Sequence, residues 1–432
     1  MNPSGTIVIT SAGTLGDHLP YIALGQRLAR RGHRVRMAVN AAMHAHVHAA
    51  GLQALDCGHA LSEIRARASA ADWDDLHPDP RSLSQWLEQM QAYFARELPL
   101  CLADLLRACE GADLLVCGLQ QQALAPLVSR RLGLPWVAAS VMPAAHCADQ
   151  GWQLGKKSRL APHIHRLIGE VLATLEAGHP AAPDHGWIGA LLGASPQLFQ
   201  PTPAHAHYEP TGFWFAQAGD PAAPAEAQAA PALQSFLQAH PAPLVLSFSS
   251  LPLLDAPGVL ALHAQAARQL GRGLVVQRGW AGFCEDMLPP ELRSEAVLFT
   301  DFIPQDALFA QAGAVLHHGG IGTLARALLH GSPMLVEPYG NDQFFNAQRV
   351  LTLGVGAAAH PKKISADGLA QLLAQRVLTP ECRARTQALG ALLRQEDGTG
   401  RAAERIEAWL AAALEGRCTE TLDAPLPSST TD

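Results

Sequence analysis

Residue types that bind a phosphorylated ligand are concentrated in one segment of the second half of the chain. A short apolar run at 314–316 is followed by HHGGIGT at 317–323 and then by a helical run rich in Ala and Leu. Glycines at such a turn let the backbone approach a ligand closely, and the N–H groups that open a helix favour an anion. His318 and Thr323 can donate further hydrogen bonds. The pattern predicts a phosphate site at this turn.

A second pair of polar residues is expected beside that turn. The strand predicted at 333–337 is followed by Asp342 and Gln343. Ligands of open α/β sheets bind at the carboxyl ends of the strands, so these side chains are candidates for ligand contacts. The alternative interpretations are an ordinary polar loop for this pair and a tight strand-to-helix connection for the glycine turn.

The candidate for proton transfer lies in the first strand-to-helix turn, SAGTLGDHLP, at 11–20. Asp17 can act as a general base. His18 beside it is the second candidate, because an imidazole titrates near neutral pH. Asp before Pro is also a common helix cap, so a purely structural role for Asp17 is the alternative.

Four segments together resemble the donor-binding signature of the nucleotide-sugar glycosyltransferases of the UDP-glycosyltransferase family. They are the aromatic-x-Pro-Gln segment at 302–305, the His-Gly-Gly-x-Gly-Thr segment at 318–323, Gly-x-Pro at 331–333 and Asp-Gln-x-x-Asn-Ala at 342–347. The strings HHGGIGT and DQFFNAQR are most similar to the bacterial sterol and macrolide glycosyltransferases and the rhamnolipid rhamnosyltransferases. The resemblance implies an α/β protein with the GT-B fold, in which two Rossmann-like domains face each other across a cleft.

The resemblance also implies roles for the matching residues. The aspartate that corresponds to Asp17 is the catalytic base in the sterol-type relatives. In relatives that use histidine, an acid orients the base, and Gly118 stands at that position here. Phe302 corresponds to an aromatic that stacks on the nucleobase, with plain core packing as the alternative. The implied donor-binding residues are Ser250, Phe302, Ile303, Gln305, His317, His318, Gly319, Gly320, Gly322, Thr323, Asp342 and Gln343.

Three positions depart from the family pattern. Arg326 stands where UDP-glucose enzymes commonly place a Glu against the ribose, Ile321 where plant members have Trp, and Ser249 where the usual Phe-Gly-Ser turn has Gly. Without the Glu, a deoxyribose nucleotide is admissible, so UDP-glucose and dTDP-rhamnose both stay open as donors. The motif requires no cofactor and no divalent metal.

The predicted strands fall into two sets separated by a segment rich in Pro and Ala. The first set is expected at 6–10, 35–39, 113–118 and 135–140, and the second at 244–248, 274–277, 296–300, 314–316 and 333–337. Strands that alternate with helices indicate parallel sheets. We therefore expect an N-terminal acceptor-binding Rossmann-like domain at 1–215, a linker at 216–243, a C-terminal nucleotide-sugar-binding Rossmann-like domain at 244–400, a terminal helix at 401–414 that packs back on the first domain, and a disordered tail at 415–432.

Composition excludes several other classes of protein. The 432 residues carry a net charge of −7 with no basic block, which argues against nucleic-acid binding. The eight cysteines show no metal-ligand spacing, and the histidines at 44, 46 and 48 do not converge on one helical face, so no metal site is expected. No signal peptide and no membrane-spanning run are visible, which indicates a cytoplasmic protein with peripheral membrane contact left open.

The expected function is inverting transfer of a hexose from a nucleotide diphosphate sugar to a hydroxyl of a hydrophobic small molecule or lipid. The sequence leaves two alternatives open. One is a GT-B sugar-nucleotide epimerase, and the other is a non-catalytic auxiliary protein of the same fold. The oligomeric state does not follow from the sequence.

Overall fold

A computed structural model describes residues 4–59, 83–147, 161–177, 186–216, 231–301, 305–340 and 342–416. Of the predicted features, Phe302, Ile303, the linker residues 217–230 and the tail from residue 417 lie outside these ranges. The described residues form two compact units. The first comprises the residues up to 216 together with 397–416, and the second comprises 231–396.

The first unit contains a sheet of seven strands in the order β3-β2-β1-β4-β5-β6-β7, and every neighbouring pair is parallel. Strands buried on both faces are apolar throughout, which is why the central ones could be predicted from the sequence. The bounds are β1 Thr6–Thr10, β2 Arg34–Val39, β3 Gln53–Asp56, β4 Leu114–Gly118, β5 Trp136–Ser140, β6 Trp187–Leu192 and β7 Tyr208–Pro210.

The second unit contains a sheet of six parallel strands in the order β10-β9-β8-β11-β12-β13. The bounds are β8 Leu244–Ser247, β9 Leu274–Gln277, β10 Val297–Thr300, β11 Ala314–His317, β12 Met334–Val336 and β13 Gly356–Ala358. In both sheets the strand order reverses beside the first strand of the unit. Ligands of doubly wound sheets bind at such switch points.

Helices connect the strands in both units. Within the described ranges, the α-helices are α1 Leu15–Arg30, α2 His44–Ala49, α3 Leu83–Cys109, α4 Ala125–Leu132, α5 Ala161–Glu176, α6 Pro231–Ala239, α7 Ala256–Gln269, α8 Gln305–Phe309, α9 Ile321–Leu329, α10 Gln343–Leu353, α11 Ala366–Leu372, α12 Pro380–Leu393 and α13 Gly398–Leu414.

Helix α6 lies within the range predicted as the linker. Its Leu233 and Phe236 are buried, and the backbone of Gly273 packs against the Phe236 ring and His240. Part of that range is therefore a packed helix of the second unit. The sequence analysis missed it because nine residues with two buried side chains give too little periodicity.

The terminal helix α13 packs within the first unit. Ala403, Ile406 and Leu410 join the same apolar core as Ile7 and Leu24. At its edge, Arg31 Nε donates to Glu407 Oε1 at 2.7 Å. The helix begins at residue 398, before the predicted 401, because the Asp397 carboxylate accepts from the Gly400 N–H at 3.0 Å and caps it.

Candidate active site

The turn after β1 presents Asp17 on the first turn of α1. The Asp17 Oδ2 accepts from the backbone N–H of Thr14 at 2.7 Å and from its hydroxyl at 3.0 Å. The two residues form a capping box, so the structural role left open by the sequence is present. Asp17 as a whole is half-buried. Burial raises the pKa of Asp17, and the hydrogen bonds from Thr14 lower it to a smaller extent.

His18 points in a different direction from its neighbour. Its side chain is fully buried, with Nδ1 2.7 Å from Ser11 Oγ and Nε2 3.2 Å from Asn40 Nδ2. Burial lowers the pKa of His18 to about 4. The ring is therefore neutral at pH 7, and both nitrogens already have partners in the protein.

The position of Gly118 leaves no room for an acid that could orient a histidine. A Cβ added there would lie 2.6 Å from the Thr10 carbonyl oxygen and 3.2 Å from Ser11 Cα. Both contacts are with backbone of the neighbouring turn, so a side chain at residue 118 would have to displace the turn that carries Asp17. The glycine is thus required by the close approach of β4 to β1.

The predicted phosphate turn follows β11 in the second unit. Gly319 has φ +102°, and an added Cβ would lie 2.9 Å from Val336 Cγ1 and 3.1 Å from Gln343 Cβ. Glycine is required here for its conformation and for the space. His317 is fully buried, and its Nδ1 accepts from the Gly319 N–H at 3.2 Å. Burial lowers the pKa of His317 to about 3, so this residue shapes the turn as a neutral acceptor.

His318 lies over the start of α9. A Cβ added to Gly320 would be 2.7 Å from His318 Nε2, which places the ring directly against the residue that caps the helix. Its Nδ1 is buried without a hydrogen-bond partner among the described residues. Burial lowers the pKa of His318 to about 4, opposed by the backbone of Ser247.

The first turn of α9 completes the phosphate turn. Gly322 lies in this turn with open space beside it, and Thr323 is largely buried. Gln305 Nε2 is 3.5 Å from Thr323 Oγ1, a long contact between the two predicted donor-binding side chains. The N–H groups of this turn and two hydroxyl or amide side chains are therefore grouped at one helix start.

Asp342 and Gln343 lie at the start of α10. The Asp342 Oδ2 accepts from Asn346 Nδ2 at 2.9 Å. The Gln343 Oε1 accepts from the backbone N–H groups of Tyr339 at 2.8 Å and Gly340 at 3.1 Å. The side-chain oxygen Oε1 of Gln343 is thus occupied by backbone N–H groups, and the side-chain NH2 group is the part suited to a ligand.

Arg326, at the position of the expected Glu, makes an ion pair with a neighbouring helix. Its Nη1 lies 2.7 and 2.6 Å from the two carboxylate oxygens of Asp306. His330 Nε2 is 2.9 Å from the same carboxylate. Burial acts to raise the pKa of Asp306, but the contacts with His330 and Arg326 outweigh it and lower the pKa to about 2.

Ser249 and Ser250 follow β8, the neighbour of β11 in the sheet. Ser250 is half-buried, and Ser249 has φ +50°, a left-handed conformation that favours glycine. The Ser249 carbonyl oxygen accepts from the Trp280 N–H at 2.8 Å and so holds this conformation in place. Ser249 therefore has a backbone conformation that a glycine would adopt with less strain.

We expect Ser249→Gly to stabilise the protein by up to about 1 kcal/mol, the scale of the strain of a left-handed non-glycine residue. Denaturant unfolding of the variant and the wild type measures the change. Gly282→Ala, at φ +66° in open space, is the opposite control and should lower the free energy of unfolding. A less stable Ser249→Gly protein would contradict the assignment of strain.

The described donor-binding candidates follow the carboxyl ends of β8, β10, β11 and β12, in the second unit. Asp17 and His18 belong to the first unit. The sequence analysis assigned no role to two further residues: Thr14, which holds the Asp17 carboxylate, and Asn346, which holds that of Asp342. Two sequence patterns could have found them. For Thr14 the pattern is Thr-x-x-Asp before an apolar run, and for Asn346 it is the i, i+4 spacing from Asp342 on a helix.

Comparisons with known proteins match both halves of the chain. Residues 7–87 match the glycosyltransferase family 28 N-terminal domain, and residues 286–397 match the C-terminal domain of erythromycin biosynthesis protein CIII-like proteins. Sterol 3-beta-glucosyltransferase UGT80B1 of Arabidopsis thaliana is 26% identical over 100% of this chain and 70% of its own length. Glycosyltransferase GtfE of Amycolatopsis orientalis is 29% identical over 93% of this chain and 96% of its own. The chain is a sugar-transferring enzyme, and it is similar to the sterol and macrolide glycosyltransferases.

Solved structures show the same fold as this glycosyltransferase. The kitacinnamycin glycotransferase aligns with a TM-score of 0.68 and 24% identity over 95% of this chain and 100% of that protein. The calicheamicin glycosyltransferase CalG4 aligns with a TM-score of 0.68 and 20% identity over 96% and 100%. The expectation of a GT-B fold with two Rossmann-like domains is therefore confirmed.

The described parts of the glycosyltransferase contain neither a cluster of metal ligands nor a membrane-spanning helix. Within those ranges, no three His, Cys, Asp or Glu side chains are grouped so that they could hold a metal ion. In the same ranges, no helix has both the length and the apolar character needed to cross a bilayer.

Proposed function

We propose that this glycosyltransferase moves a hexose from a UDP-glucose-type or dTDP-rhamnose-type donor to a hydroxyl of a hydrophobic small molecule or lipid, with inversion at the anomeric carbon. The observation that carries the proposal is the turn from Gly319 to Thr323. It combines a left-handed glycine, the N-terminus of α9 and a half-buried neutral His318 at one point, with Asp342 next to it in the same unit. This arrangement suits a diphosphate that is joined to a sugar.

Each step of the proposed transfer has a group that can perform it. The Asp17 carboxylate accepts the proton of the acceptor hydroxyl while that oxygen forms a bond to the anomeric carbon. The bond from this carbon to the diphosphate oxygen breaks, and its electron pair leaves with the nucleotide. The N–H groups at the start of α9, His318 and Thr323 stabilise the charge that grows on the diphosphate.

Asp17 is the better candidate for the base than His18. Asp17 is only half-buried, whereas His18 is fully buried with Ser11 and Asn40 on its two ring nitrogens. Desolvation raises the pKa of Asp17, which makes the carboxylate more basic than an exposed one. The capping bonds from Thr14 orient it and do not prevent it from accepting a proton, since a carboxylate has several lone pairs.

The donor is proposed to be a uridine or thymidine diphosphate sugar. Residue 326, where UDP-glucose enzymes commonly have a Glu, is an arginine that pairs with Asp306. This favours a site that tolerates deoxyribose. Hydrogen bonds from backbone N–H groups and the neutral His318 are proposed to stabilise the diphosphate, and this arrangement requires no divalent metal. A hydrophobic acceptor is supported by the sterol enzyme among the relatives, and a small-molecule acceptor also by a vancomycin aglycone glucosyltransferase of Amycolatopsis orientalis.

A panel of nucleotide sugars tests this function. The purified protein is mixed with UDP-, dTDP-, GDP- and ADP-hexoses, and thermal stabilisation and slow hydrolysis without acceptor are recorded. We expect uridine or thymidine compounds to stabilise the protein and to be hydrolysed to the nucleoside diphosphate and free sugar. Stabilisation by none of the panel, or conversion of the sugar to an epimer still attached to the nucleotide, would overturn the proposal.

A further inference from the structure

Asn346 connects the two parts of the proposed donor site. It lies one turn into α10 and is fully buried. Its Nδ2 donates to the carbonyl oxygen of Gly319 at 2.8 Å and to Asp342 Oδ2 at 2.9 Å. One amide group therefore joins the turn assigned to the diphosphate to the carboxylate assigned to the sugar.

The orientation of this amide follows from its partners. A carbonyl oxygen and a carboxylate oxygen only accept hydrogen bonds, so the side-chain nitrogen of Asn346 must face them. This leaves its Oδ1 buried without a partner among the described residues. Buried polar atoms are rarely left unpaired. The contacts of Asn346 with the described residues are therefore the two bonds that its nitrogen donates, and these are the reason for an amide at this position.

The surrounding contacts hold the turn and the helix close together. The backbone N–H of Asn346 donates to the Asp342 carbonyl oxygen at 2.9 Å. An added Cβ on Gly319 would lie 3.1 Å from both Cβ and the carbonyl oxygen of Gln343. The phosphate turn therefore packs directly on the first turn of α10, with Asn346 as the hydrogen-bonded link between them.

We propose that Asn346 is a positioning residue that fixes the Asp342 carboxylate relative to the phosphate turn, so that the hexose is recognised at a set distance from the diphosphate. This rests on the proposed function. The nucleoside diphosphate needs the turn alone, whereas the sugar nucleotide needs the turn and Asp342 together. Loss of Asn346 should therefore reduce the share of affinity that comes from the sugar.

The test compares two ligands in wild type, Asn346→Ala, Asp342→Asn and the double variant. Calorimetry without acceptor gives the affinity for UDP or dTDP and for the matching hexose compound. We expect Asn346→Ala to lower the affinity for the sugar nucleotide relative to the nucleotide by roughly tenfold, the scale of one charge-assisted hydrogen bond. Adding it to Asp342→Asn should have little further effect, because both changes break one link.

Gln348→Ala is the matched control. It removes a side-chain amide from the same helix, and the Nε2 of this amide contacts Thr352 Oγ1 at 3.4 Å. It should leave the ratio of the two affinities unchanged. A ratio unchanged in Asn346→Ala, or effects of the two substitutions that multiply in the double variant, would overturn the positioning role alone. A wild-type protein that binds no sugar nucleotide would overturn the proposed function and this inference with it.

Asn346→Asp keeps the side-chain volume and covers the case in which the alanine variant does not fold. It places a second carboxylate beside Asp342, so that one proton is shared and the pKa of the pair rises. The sugar-dependent affinity should be lost at high pH and recover as the pH falls, because the new carboxyl group can donate a hydrogen bond only when it is protonated. A pH-independent ratio in this variant would contradict the proposal.

Discussion

Asp17→Asn is expected to lower the rate of sugar transfer by roughly 100-fold or more, the scale of a lost general base. The amide keeps the shape of the side chain and can still accept from the Thr14 N–H, but it cannot take the acceptor proton. Affinity for the nucleotide should change little, because the nucleotide-binding candidates lie on the second unit. Steady-state transfer assays and nucleotide calorimetry measure the two quantities.

The pH dependence gives a second result for the same variant. The base works when deprotonated, so kcat/KM of the wild type should fall as the pH falls through the raised pKa of Asp17, and Asp17→Asn should lack this acidic limb. A raised folded-state pKa favours the protonated form in the fold. The contribution of protonated Asp17 to the free energy of unfolding is present at low pH, and it is lost as the pH rises through that pKa. At neutral pH the variant should therefore be no less stable than the wild type.

His18→Ala provides the comparison for this experiment. It removes a buried ring that contacts Ser11 and Asn40, so we expect reduced stability and a smaller loss of turnover per folded molecule. A larger loss of turnover in His18→Ala than in Asp17→Asn would assign the base to His18. Turnover like that of the wild type in Asp17→Asn would leave the carboxylate with its capping role only.

His318→Ala is expected to weaken nucleotide binding about tenfold and to lower turnover by roughly 100-fold, as when one donor to a developing charge is removed. The neutral imidazole carries one N–H that can donate to a diphosphate oxygen. Its effect on turnover should exceed its effect on binding, because negative charge on the diphosphate grows as the bond to the sugar breaks. Calorimetry with UDP and dTDP and transfer assays separate the two effects.

His360→Ala is the matched control, because this histidine is exposed in a loop of the same unit. It should leave both quantities unchanged. Full activity and unaltered affinity for both nucleotides in His318→Ala would show that the histidine only packs against Gly320.

The sequence predicted most of the central strands and missed three of the strands at the sheet edges. Strands β1, β8 and β11 are buried on both faces, and such strands are apolar runs that stand out from their surroundings. Among the described strands, the missed ones are β3, β7 and β13, which lie at the edges of their sheets, and β6, which lies beside β7. Strand β3 carries Gln53 and Asp56 at its ends, and β13 is only Gly-Ala-Ala, so neither has a recognisable apolar pattern.

The site was predicted at the level of motifs, and the orientation of individual side chains was not. Asp17 and His18 are adjacent in sequence, and only the start of α1 at Leu15 determines that the histidine faces the core. A helix turns by about 100° per residue, so one position decides which neighbour is buried. The role of Asn346 depends on the approach of two separate loops, which the spacing of one helix does not show.

The measurement that tests the central proposal most directly is the anomeric configuration of the product. One base on the first unit, diphosphate donors on the second and no carboxylate assigned as a nucleophile imply a single displacement. A glucoside formed from α-linked UDP-glucose should then be β, and a rhamnoside formed from β-linked dTDP-rhamnose should be α. The proton coupling at the anomeric position, read by NMR, decides the glucose case. A β-glucoside is the result we predict, and an α-glucoside would contradict the single displacement with Asp17 as base.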